Sequence, residues 1–163
     1  MSFTLDISRA CEAMKGNTDK AVRKVLLDLG TSLVMKSPVG DRELWLSLGA
    51  AYAIGGKHKK IKGAKGPAGY VGGRFRANWQ YGFSAAPNGE LYKADDKSFP
   101  KSGEVLAKIK EGVTTSPAAG IHYIANNLPY AQRLEDGWST QAPAGILELT
   151  IIEFPGIVKR SQA

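Results

Sequence analysis

Between Asp19 and Lys36 the apolar residues Ala21, Val22, Val25, Leu26, Leu29 and Leu33 recur three or four positions apart, and Pro38 follows shortly after. That spacing gathers them on one stripe of an α-helix, with Asn17 or Thr18 available as the N-cap. Proline disfavours helical geometry in the residue before it, so the helix must stop near Ser37. A helix of about eighteen residues is roughly 27 Å long, and its stripe has to be covered by a second layer of structure. Upstream, Asp6 to Met14 is expected to form a short separate helix through Ile7, Ala10, Cys11 and Met14, set apart by Gly16 and Asn17.

The covering layer is legible further along. From Arg74 to Phe83 the chain alternates strictly, with Phe75, Ala77, Trp79, Tyr81 and Phe83 on one face and Arg74, Arg76, Asn78 and Gln80 on the other. This predicts a half-buried strand whose aromatic face packs on the long helix. A second strand is expected over 121–126, where Ile121, Tyr123 and Ala125 share a face. Between the two, Ser102 is expected to cap a short helix carrying Val105, Leu106 and Ile109, closed by Gly112. The segment Ala144 to Gly156 fits a strand through Leu147, Leu149 and Ile151, or a helix through Ile146, Leu149, Thr150 and Glu153. Pro143 and Pro155-Gly156 delimit it, and helix is the reading adopted. No period of 20 to 50 residues repeats, which excludes solenoids and propellers. The expected architecture is α+β: one domain over 1–163, a small antiparallel sheet packed by a long N-terminal helix and shorter helices, with a long basic loop.

A chain of 163 residues can bury a single real core, roughly 70% of its unfolded surface. Its 19 glycines point to long loops. The longest is a Gly/Lys-rich insertion over 40–72, in which Lys57, Lys59, Lys60, Lys62 and Lys65 lie among glycines and supply most of the net charge of +7. Such a segment has no apolar face to bury and is expected to be mobile. It reads either as a solvated loop or as a contact for DNA or an acidic partner, each lysine–phosphate contact adding a salt-dependent increment. Tyr52 and Tyr70 flank it without forming the interleaved aromatic pattern of a nucleic-acid-binding sheet.

Catalytic machinery is not visible. Cys11 is the one cysteine, so no intramolecular disulfide forms, and a reducing compartment is expected. The N-terminus lacks a basic region followed by an apolar run, and no stretch approaches the roughly 20 apolar residues of a membrane span. No membrane contact is expected, and folding is expected in the cytoplasm. His58 and His122 stand without carboxylates at metal-ligand spacing, and His122 reads as a structural polar residue on its strand. No nucleophile elbow occurs, and Gly55-Gly56-Lys57 lacks the earlier glycine of a phosphate-cradling loop. Asp95-Asp96 and Glu135-Asp136 read as solvated charge. No catalytic, cofactor-binding or metal-binding residue is expected; a hydrolase using His122 or Cys11 is the residual enzymatic reading.

The segment 126–145 is of another kind. Leu128, Ala131 and Leu134 lie on one helical face, Pro129 can open the turn and Gly137 can close it. Trp138 follows in a loop of small and polar residues, where so large an apolar side chain must be covered by a neighbouring element or by another subunit. This reads as a docking element.

Ser37-Pro38-Val39, Gly73 to Trp79, Asn127 to Ala131, Leu134-Glu135, Gly137 to Ser139 and Gln141 to Gly145 follow one another in this order. Together they resemble the neck or tail-completion protein family of long-tailed bacteriophages, over most of the chain. The resemblance departs at 40–72, where the family runs almost directly from Ser/Thr-Pro-Val into the Gly-Arg strand. It implies a small α+β protein without enzymatic activity, a homo-oligomeric ring joining the head connector to the tail tube in the virion, assembled in the host cytoplasm. Genomic DNA passes through such a neck, so contact of the basic loop with DNA is compatible with the resemblance without being implied by it. Tyr130 and Trp138 then become candidate subunit-interface anchors, the alternative being that both cap the domain's own core. A tail terminator on the tail tube and a basic DNA-binding accessory protein are the other readings.

Overall fold

The computed structural model describes residues 3–40, 51–54, 57–60, 72–93, 96 and 98–162, with 3–11 and the 51–54 and 57–60 strands as backbone alone. In chain order the elements are α1 (Phe3–Lys36), β1 (Ala51–Ile54), β2 (Lys57–Lys60), α2 (Arg74–Ala77), β3 (Trp79–Phe83), α3 (Ser102–Thr115), β4 (His122–Asn126), α4 (Ala131–Glu135) and α5 (Leu147–Ser161). The α+β expectation holds, with α1 packed against α3 on one side and α5 on another.

The two helices expected at the N-terminus are one helix of 34 residues. A glycine inside a helix costs only about 1 kcal/mol, so Gly16 alone does not break it. Thr18, expected to cap a new helix, instead donates its hydroxyl to the Met14 carbonyl at 3.0 Å, four residues back within the same helix. The stop is where Pro38 requires it, and the Ser37 hydroxyl donates to the Leu33 carbonyl at 2.7 Å.

The strand expected over 74–83 begins late, because Arg74–Ala77 form the helical turn α2. Asn78 is the reason. Its side chain is fully buried, donating to the Arg74 carbonyl at 2.8 Å and the Tyr92 carbonyl at 3.2 Å, and accepting from the Leu91 and Tyr92 amides at 2.8 and 3.1 Å. A regular strand would have left that amide on the solvent face; four hydrogen bonds in the interior outweigh alternation. β3 then pairs antiparallel with β4, from Trp79 opposite Asn126 to Phe83 opposite His122.

α3 starts one residue earlier in its logic than Ser102 suggests. Glu104 reaches back to accept from the Lys101 amide at 3.1 Å, while the Ser102 hydroxyl accepts from Arg76 at 3.0 Å. Nor does Gly112 end the helix, which runs on to Thr115. A side chain at Gly112 would clash with the Tyr81 ring, so this glycine serves the close approach of helix to sheet. The C-terminal carbonyls of α3 are instead held from α1, where Arg23 donates to the Val113 and Ser116 carbonyls, a cation at the negative end of the helix dipole.

α5 forms as the helical reading expected, but Pro155 lies inside it and does not end it. Thr150 and Ile157, one on each side of the proline, are both buried, so both halves of the helix are anchored by tertiary packing. The core joins Leu33 and Val34 of α1, Phe75 and Trp79, Val105, Ile109 and Val113 of α3, and Leu128, Ala142 and Ile146. Phe75 meets Trp79 edge to face, 5.8 Å between centroids.

Within the expected basic loop, β1 and β2 pair antiparallel, Ile54 opposite Lys57 and Tyr52 opposite Lys59. Alternate backbone N–H and C=O groups pair across this ladder, so main-chain pairing gives these positions regular structure that a side-chain pattern does not announce. The Gly55-Gly56 dipeptide between them is a two-residue hairpin signal that the charge pattern obscured.

Candidate docking surface

The segments that carry the resemblance are far apart in sequence and meet in space. The Trp79 indole N–H donates to the Ser37 hydroxyl at 2.7 Å, and Arg76 donates to the Ser37 carbonyl at 2.9 Å. Gln141 clamps Val39 from both sides: its side-chain oxygen accepts from the Val39 amide at 2.9 Å and its nitrogen donates to the Val39 carbonyl at 3.0 Å. Asn126 donates to the Phe75 carbonyl at 2.8 Å. Burial pushes the Arg76 guanidinium down from its ordinary value, though an arginine remains charged.

Glu135, expected as solvated charge, caps α5. Its carboxylate accepts from the Ile146, Leu147 and Glu148 amides, each at 2.9 Å, which are the orphan donors of the first helical turn. Burial alone would raise its carboxyl; the three amide bonds outweigh that and hold it below the usual carboxylate range. The pairing spans eleven to thirteen residues, so no local sequence signal announces it. It ties the 131–138 turn rigidly to α5.

That turn presents Trp138. Gly137 adopts φ +79° and its amide donates to the Leu134 carbonyl at 3.2 Å, while the Trp138 amide donates to the Arg133 carbonyl at 3.1 Å. This pair of bonds is the left-handed glycine cap that the sequence suggested. The two candidate anchors then part company. Tyr130 packs on the core, its ring 6.2 Å from Phe75 and 5.8 Å from the Arg74 guanidinium. Trp138 stays 67% exposed, with the Arg133 guanidinium 5.4 Å from its ring centroid.

A second apolar feature went unread in the sequence. Leu147, Ile151 and Phe154, spaced four and three apart along α5, are 45%, 68% and 43% exposed. They form one wall of a groove of about 290 Å³ whose opposite wall is Leu26, Leu29 and Leu33 of α1, with His122 and Ile124 of β4 between them. The clue was present: Ile146, Leu147, Leu149, Ile151, Ile152 and Phe154 put apolar residues all round the helix, more than one buried face requires.

His122 is structural in its contacts. Its Nε2 faces the Ala118 carbonyl at 3.0 Å and its Nδ1 the Tyr81 hydroxyl at 2.7 Å. A carbonyl only accepts, so the hydrogen-bond network puts the proton on Nε2 and makes Nδ1 the acceptor. Among the described residues no cluster of histidine, cysteine and carboxylates is arranged to hold a metal, and no helix is long and apolar enough to cross a membrane. Lys57, Lys59 and Lys60 fall on β2; Lys62 and Lys65 lie outside the described residues, as does the Cys11 side chain. Comparison with family models, with characterised proteins and with solved structures finds no match to this chain.

Proposed function

We propose that this chain is a structural subunit of a bacteriophage neck, a tail-completion protein that forms a ring joining the head connector to the tail tube. The observation that carries the reading is Trp138: a large apolar side chain held out in solvent by a turn that hydrogen bonds fix on both sides. A monomer gains nothing from rigidly displaying such a group, whereas a subunit interface does. The hydrogen-bonded convergence of the resemblance-bearing segments supports treating them as one unit. The exposed apolar stripe of α5 adds a second surface in want of cover. The β2 lysines suit the side of such a ring that meets DNA.

The reading is tested by deleting the gene from the phage that carries it. Electron micrographs of the lysate are expected to show DNA-filled heads and separate tails of normal length. Unattached tails of abnormal length would point instead to a tail terminator, and intact infectious particles would reject both. Nucleic-acid binding as the primary role requires salt-sensitive affinity for DNA that falls when Lys57, Lys59, Lys60 and Lys62 are changed to alanine; no detectable binding at physiological salt excludes it.

A further inference from the structure

We propose that the α1/α5 groove of one copy receives the Trp138 turn of a second copy, an inference that rests on the ring reading above and names its contact. At about 290 Å³ the groove is at the small end of the roughly 300 to 1,000 Å³ typical of metabolite sites. Its lining is apolar apart from His122 and Thr150, and neither has a hydrogen-bond donor to spare for orienting a metabolite. Both His122 nitrogens are engaged, and the Thr150 hydroxyl donates to the Ile146 carbonyl at 2.8 Å. A flat apolar group of side-chain size fits this chemistry. Trp138, with two rotatable side-chain bonds on a turn already fixed, loses little freedom on seating.

Charge agrees with shape. Arg133 accompanies the indole as a cation, and the exposed Glu148 follows the groove-lining Leu147 in the first turn of α5. In the proposed contact, Arg133 approaching that carboxylate would orient the knob. Knob and groove are different surfaces of one chain, so the contact is heterologous and propagates around a closing ring; two grooves meeting face to face would end at a dimer.

The test is sedimentation velocity at near-millimolar concentration. The wild type is expected to form species larger than a dimer. Trp138→Ala removes the knob and Ile151→Arg blocks the groove; each alone is expected to weaken association at least tenfold. An equimolar mixture of the two is expected to form a dimer and nothing larger, since one intact knob meets one intact groove. Both positions are exposed, so both variants should keep the wild-type circular dichroism and melting temperature, and Leu91→Arg, at an exposed apolar residue elsewhere, should still oligomerise. A wild type that stays monomeric, or variants that associate as readily as it does, would overturn the knob-in-groove contact while leaving the neck reading to its micrographs. The mixed dimer together with intact virions from the deletion phage would keep the contact and reject the neck.

Discussion

Glu135 and Ser37 each join distant segments through a single side chain. Removing the Glu135 carboxylate strands three amides at the start of α5, and Glu135→Ala is expected to cost about 1 to 2 kcal/mol by urea denaturation. The sign of its pH dependence follows from the depressed carboxyl. Its contribution is fully present above the ordinary glutamate range near about 4.3 and is lost as pH falls through the lower folded value. Stability of the wild type should therefore decline on acidification in that window, and Glu135→Ala should flatten the decline; an unchanged acid limb would contradict the cap. Glu153 is also held low, by the Lys36 ammonium that donates to it and by the Ser32 hydroxyl, but it lies open to solvent and is screened. Ser37→Ala leaves the buried Trp79 N–H without its acceptor, an expected loss of about 1 to 3 kcal/mol. None of these pairings was legible in the sequence, because each joins residues eleven or more apart through side chains whose local pattern says only polar.

At the scale of elements, periodicity carried further. The α1 stripe, its stop before Pro38, β4 and the α4 turn closed by Gly137 were all readable, since each rests on local backbone chemistry. The misreadings share one cause, tertiary packing outweighing a local signal. Gly16 and Asn17 failed to break α1, Gly112 served the Tyr81 ring instead of ending α3, buried Asn78 converted the start of a strand into a helical turn, and Pro155 was carried through α5. Two substitutions separate these roles. Gly112→Ala has better helix propensity yet is expected to destabilise by about 1 to 3 kcal/mol, because the new methyl meets the Tyr81 ring. Pro155→Ala, by restoring an amide to the helix, is expected to stabilise by about 1 to 3 kcal/mol. Thermal unfolding checks both, and a stabilising Gly112→Ala would show that helix and sheet are free to separate there.

For the whole molecule, the docking surface was half legible. The sequence marked Trp138 as needing cover and paired it with Tyr130; the fold gives Tyr130 to the core and leaves Trp138 outside. It did not mark the α1/α5 groove, because whether an all-round apolar helix is buried or displayed depends on how much of the chain is left to cover it. Since Trp138 contributes little to its own domain, Trp138→Ala should change unfolding free energy by less than about 0.5 kcal/mol and, on the proposed neck function, abolish head–tail joining. The most direct measurement is in-vitro joining: heads and tails from the deletion lysate are mixed with the purified protein and infectious particles are counted. The account predicts a rise of orders of magnitude with wild type and none with Trp138→Ala. Heads and tails that fail to join when the folded wild-type protein is added would contradict it.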